Sequence, residues 1–213
     1  MLIGAHVSAA GGIWNAPKNA ANLGCEAFQV FSRPPQGGPA PELTQEIIQK
    51  FKDEMKKYSL EWFCIHTPYF INFASGRPAV RHGSAQIVRG ELERGSLLGA
   101  ECVMTHLGSF KDAGVKAGMK ILIEGLQKTL DGYAGRTQFL VEIAAGAGEI
   151  IGDSFEELGE IIIHPKLKHH NIGGCFDTQH AFASGYDLRT PETVSTVWQK
   201  AQKLLGKNKI KMI

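Results

Sequence analysis

The chain has 213 residues, 43% hydrophobic and 21% charged, with a formal net charge of +2. That length fits one large domain, 1–213, with a substantial buried core. No apolar run reaches the roughly 18 residues of a membrane span. The opening Met1-Leu2-Ile3-Gly4-Ala5-His6 has no basic leader segment, which reads as a cytoplasmic protein without a membrane partner. So small a charge neither requires nor excludes nucleic acid, because a cleft can be basic on a near-neutral protein.

Taken in chain order, seven short apolar runs predict strands at 2–6, 26–31, 61–66, 102–106, 138–142, 172–177 and 208–213. The first ends on His6 and leads into Val7-Ser8-Ala9-Ala10-Gly11-Gly12. Small residues and two glycines there let the backbone approach a ligand, and they equally suit a plain tight turn. After the second strand comes a Pro- and Gly-rich connection, 32–41, containing Arg33. Leu43, Ile47, Ile48, Phe51 and Met55 then form the apolar stripe of a helix. A second long connection, 67–79, follows the third strand. Ile87, Val88, Leu92 and Leu98 mark the next helix, and Ile121, Leu122, Leu126 and Leu130 the one after. Ser154-Phe155-Glu156-Glu157 has the form of a capping box that opens a helix through Ile163. Thr190-Pro191 starts the last helix and Gly206 ends it.

Strand–helix alternation with apolar strands implies a parallel sheet covered by helices. Four of the strands lead into metal-type ligands: His66, His106, Glu142, and Asp177 with His180 three residues on. The first four lie 40, 36 and 35 residues apart, about one strand-plus-helix unit each. In a parallel barrel all strands end on one face, so these residues would meet there. That ring favours a TIM-type (β/α) barrel over an open doubly wound sheet, with seven strands visible and an eighth absent from the sequence. Imidazoles and carboxylates together suit zinc or a similar divalent ion. Glu142 is the strongest candidate, because a carboxylate ending an apolar strand is costly to bury unless paired or metal-bound. A salt bridge to a nearby Lys or Arg is the plainer reading. Asp177 and His180 are spaced so that both can face one cavity without a helix. Cys25, Cys64, Cys102 and Cys175 are widely separated and read as reduced thiols, buried where they fall in strands.

The segments IGAHVSAAGG at the start, HTPYFIN at 66–72, HLGS at 106–109, VEIAAGAG at 141–148 and GGCFDTQHAFASGYDLRTP at 174–191 resemble the endonuclease IV family, in the family's order. The resemblance implies a barrel enzyme of up to three zinc ions that cuts double-stranded DNA 5′ to abasic sites. It implies His66 and His106 on a first zinc, Glu142 bridging to a second, Asp177 on the second and His180 on the third. Glu142 would be the catalytic carboxylate. It also implies Tyr69 as the aromatic that enters the DNA at the lesion, with Ser8, Gly11 and Arg33 as DNA contacts. The family's remaining ligands would follow the seventh strand, beyond Ile213, so one well-formed zinc site and impaired activity are expected of these 213 residues, acting as a monomer. Leu107 stands where the family usually has proline, Gln179 where it commonly has cysteine, and Ile143-Ala144-Ala145 where it has a polar loop. Two other readings stay open: a metal-dependent sugar isomerase or epimerase of the same barrel type, and an inactive DNA-binding fragment. As phosphate contacts, Arg33 and Lys18 compete with the plainer reading of solvated charges.

Overall fold

The computed structural model describes residues 1–213. The chain divides into two compact units. The first comprises 1–70, 89–104 and 134–138, and the second 71–88, 105–133 and 139–213.

The first unit holds β1 (Gly4–His6), β2 (Ala27–Val30), β3 (Trp62–His66) and most of β4 (Cys102–Thr105), parallel neighbours in that order. Gly4 pairs with Ala27, Ala27 with Trp62 and Cys64 with Cys102. A short 3₁₀ turn, Ile13–Asn15, and helix α1 (Ala16–Asn22) join β1 to β2. Helix α2 (Gln45–Lys57) joins β2 to β3, and α3 (Pro78–Leu98) joins β3 to β4. Helix α2 starts where Thr44 Oγ1 accepts the Ile47 N–H at 3.3 Å. Glu46 in its first turn and Lys56 and Lys57 in its last complement the helix dipole. Its buried face presents Phe51 to Phe63 at 5.1 Å between ring centroids, and Phe63 stacks on Phe28 at 5.2 Å. Burying each such ring contributes about 1.5–3 kcal/mol.

The second unit holds β5 (Gln138–Glu142, from Phe139 onward), β6 (Ile172–Cys175) and β7 (Ile210–Met212), again parallel. Glu142 pairs with Cys175, and Gly174 with Ile210. Helices α4 (Val115–Leu130), α5 (Phe155–Ile162), α6 (Thr178–Ala183) and α7 (Pro191–Leu205) complete it. Its core includes Leu122, Leu126, Leu140, Phe155, Leu158 and Ile172, all fully buried.

All seven strands fall where the apolar runs put them. The helix starts need one correction. Ser154 caps α5 by accepting the Glu157 N–H at 3.2 Å, but the Glu157 carboxylate accepts from Gly152 N, so the box is only half made. The full capping box is at α7, where Thr190 and Thr193 exchange side-chain and backbone bonds. The four cysteines are free thiols, three of them buried. No helix is long and apolar enough to cross a membrane.

Candidate metal centre

In the second unit Glu142 closes β5 and is 3% exposed. Its two oxygens face different histidines. Oε2 lies 3.1 Å from His106 Nε2, and Oε1 lies 3.6 Å from His180 Nδ1. The His106 and His180 rings stand 5.1 Å apart. One potential ligand atom from each of Glu142, Asp177 and His180 falls within a set spanning no more than 4.8 Å. Burial, and the Asp177 carboxylate beside it, push the Glu142 carboxyl up to about 8. Glu142 thus stands among two imidazoles and a second carboxylate.

The backbone orients these side chains. His180 Nδ1 donates to the Ile143 carbonyl at 3.0 Å, which leaves Nε2 as the acceptor nitrogen. Asp177 is the N-cap of α6: its Oδ1 accepts the His180 N–H at 2.8 Å. The spacing alone suggests that Asp177 and His180 share a cavity without a helix. In the structure a helix starts between them and sets that juxtaposition. The loop after β5 is held by Ser184, whose hydroxyl donates to the Ala144 carbonyl and accepts from Gly146 N. The loop after β4 is braced by Asn72, whose Oδ1 accepts from Ser109 N at 3.3 Å and from Ala74 N at 3.0 Å. Gly108 has φ 103°, and a Cβ there would run into Asn72, so this position requires glycine.

The donor set fits a divalent cation. Without a cation, burial and the Asp177 charge keep Glu142 protonated at neutral pH, and a dication between the two groups would favour ionising both. The 3.1 Å spacing of His106 Nε2 and Glu142 Oε2 is close to the edge of about 3.3 Å expected for a tetrahedron of bonds near 2.0–2.1 Å.

In the first unit His66 closes β3, buried, with Nδ1 donating to the Thr67 carbonyl at 2.5 Å. Phe31 is the hub of a ring cluster: His6 at 4.5 Å, His66 at 5.2 Å and Tyr69 at 5.2 Å. Tyr69 is 64% exposed. Ser8 and Gly11 lie in the loop after β1, where Ser8 Oγ accepts from Ala10 N and its carbonyl from Asn19.

Arg33 departs from the solvated-charge reading. Its Nε donates to Glu91 Oε1 at 2.6 Å, and Glu91 is fully buried. Ser32 Oγ donates to the other Glu91 oxygen at 2.5 Å. Arg94 Nε donates to Ser32 Oγ, Nη2 to the Ser32 carbonyl and Nη1 to the Pro41 carbonyl, at 2.7–2.8 Å. One guanidinium thereby ties both ends of the 32–41 connection. Neither Glu91 nor Arg94 falls in a motif of the sequence. A signal is present: Glu91 sits three and four residues past Val88 and Ile87, on the apolar stripe of α3.

A family model described as "Xylose isomerase-like TIM barrel" matches residues 17–213. A relative from Halothermothrix orenii named "Probable endonuclease 4" is 35% identical over 213 residues, covering 100% of this chain and 76% of its own length. The crystal structure of endonuclease IV from Thermus thermophilus is similar with a TM-score of 0.82 and 30% identity, covering 96% of this chain and 72% of that one. A D-tagatose 3-epimerase-like protein matches with a TM-score of 0.73 at 20% identity, over 99% of this chain and 75% of its own, and that likeness concerns the fold alone.

Proposed function

Because the chain belongs to the endonuclease IV family of xylose isomerase-like TIM barrels, we propose that it is a zinc-dependent phosphodiester hydrolase that cuts double-stranded DNA 5′ to abasic sites. The observation that carries the metal reading is the grouping of one potential ligand atom each from Glu142, Asp177 and His180 within 4.8 Å, with His106 Nε2 3.1 Å from Glu142 Oε2. The family model runs through both units, which supports 1–213 as parts of one barrel domain.

His106, Glu142, Asp177 and His180 would hold the metal, and the resemblance adds His66 as a further ligand. When bound, zinc lowers the pKa of water toward neutrality and offsets the charge of a phosphodiester. Glu142 lies between two histidines, with one oxygen toward each. The Ile143 carbonyl keeps His180 in the tautomer whose Nε2 can bind metal. Tyr69 is exposed beside Phe31 and would enter the gap left by a missing base. Ser8 and Gly11 would bring the β1 loop against the DNA backbone. With Nε occupied by Glu91, Arg33 would contact phosphate only through its terminal nitrogens. The sugar isomerase reading has only fold-level similarity behind it, whereas the relatives at 30% identity and above carry endonuclease names. The protein is read as a monomer acting in the cytoplasm.

The test is a nicking assay on a duplex carrying one tetrahydrofuran abasic analogue, with metal content measured on the same preparation. Slow incision 5′ to the analogue, abolished by chelation and restored by zinc, is expected of these 213 residues. Metal-loaded protein that leaves the duplex intact would overturn the nuclease reading, and protein that retains no divalent metal would overturn the metal reading.

A further inference from the structure

The loops after β1 and β2 enclose a cavity of about 790 Å³ in the first unit that the metal chemistry does not use. That is the size of a small-molecule site. Trp14, Phe31, Pro35 and Leu43 give it flat or apolar walls, and Arg33 and Arg94 line it as well. The wall at Trp14 depends on Gly12, where φ is 136° and a Cβ would strike the indole ring.

Neither guanidinium is wholly free for phosphate, Arg33 keeping only its terminal nitrogens. Arg33 is bonded to Glu91, and Arg94 is bonded to Ser32 and Pro41 through three nitrogens. Their work is to frame the cavity. Lys50 Nζ stands 4.1 Å from the Trp14 ring centroid and Glu42 also lines the cavity; the aromatic surface that remains suits a flat heterocycle of low charge. Phe31 is both a wall of the cavity and the hub of the His6, His66 and Tyr69 ring cluster. A ligand lying against Phe31 would therefore adjoin the residue assigned to the DNA lesion.

We infer that this cavity receives a single unpaired nucleobase, held against the Phe31 and Trp14 rings. The choice of a DNA base over another flat heterocycle rests on the nuclease reading. The cavity and its preference for flat, weakly charged ligands do not.

Saturation-transfer NMR on the metal-free 213-residue protein tests this with deoxyadenosine, deoxycytidine and 2-deoxyribose as probes. Both nucleosides should bind through their base protons, with dissociation constants on the order of 1–10 mM, and deoxyribose should not. Leu43→Trp narrows the cavity and should weaken nucleoside binding at least about tenfold. Trp14→Leu removes a stacking face without adding volume and should weaken it similarly. Deoxyribose binding as well as the nucleosides, or wild-type binding by whichever variants remain folded, would overturn the inference. A single-stranded trinucleotide should displace deoxyadenosine; failure to compete would overturn a DNA strand as the source and leave a free nucleoside. Incision of the abasic duplex without nucleoside binding would overturn the cavity assignment alone. Nucleoside binding without incision would overturn the nuclease reading alone.

Discussion

His106 Nε2 and Glu142 Oε2 lie 3.1 Å apart, one just past the end of β4 and the other closing β5. The other Glu142 oxygen is turned to His180. One carboxylate therefore lies between two imidazoles, and its charge, rather than its bulk, is what a metal would need from it.

Glu142→Gln preserves shape and removes that charge. Changes to groups behind a metal ligand cost about 10–100-fold in affinity or activity, so loss of this carboxylate should weaken zinc retention by at least about 100-fold. Equilibrium dialysis against a zinc buffer measures it. Retention equal to wild type would exclude Glu142 as a ligand.

The same carboxyl predicts a pH dependence with a definite sign. In metal-free protein Glu142 holds its proton up to about 8, against an ordinary value of 4.5. The raised folded-state pKa contributes stability that is complete below the unfolded value and is lost as pH rises through the folded one. Zinc binds the ionised form, so the stabilisation by zinc should grow across that interval. Melting temperatures between about pH 5 and pH 9, with and without zinc, should diverge as pH rises. A constant gap would count against the assignment.

Glu91→Ala removes the buried partner of Arg33 and the acceptor of Ser32 Oγ. Leaving a partly buried guanidinium uncompensated should cost about 3–5 kcal/mol. Urea denaturation reads the loss. A change below about 1 kcal/mol would mean that the network relaxes into water.

Gly108→Ala should destabilise by about 2 kcal/mol or more, because φ is 103° and the new methyl meets Asn72. If the wild-type melting temperature is retained, the loop after β4 is not held as described.

The strands and their terminal ligands are legible because an apolar run closing on a histidine or carboxylate needs no knowledge of distant residues. His66 and Glu142 are strand termini as read. Helix α6 is not legible: six residues are too few for an apolar period, and its N-cap residue already carries a chemical role in the sequence. The half-made box at Ser154 fails for another reason. The sequence pattern offers Glu157 one backbone donor, while the folded loop brings Gly152 N, and the pattern cannot rank the two. Arg33 reads as solvated because its partner lies 58 residues away, and a loop charge carries no record of so distant a carboxylate.

The bond from His180 to the Ile143 carbonyl also bears on how this loop can drift in evolution. Ser184 grips Ala144 and Gly146 through backbone atoms, and Gly152 accepts from Ala144 N in the same way. The hinge that aims His180 is thus written in peptide groups rather than in side-chain chemistry. The aim of the imidazole therefore does not depend on a particular side chain at residues 143–145. The tolerance ends at Ser184, whose hydroxyl is the one side chain holding both strands of that hinge. Exchange among aliphatic residues at 143–145 should therefore be nearly silent, and loss of the Ser184 hydroxyl should not.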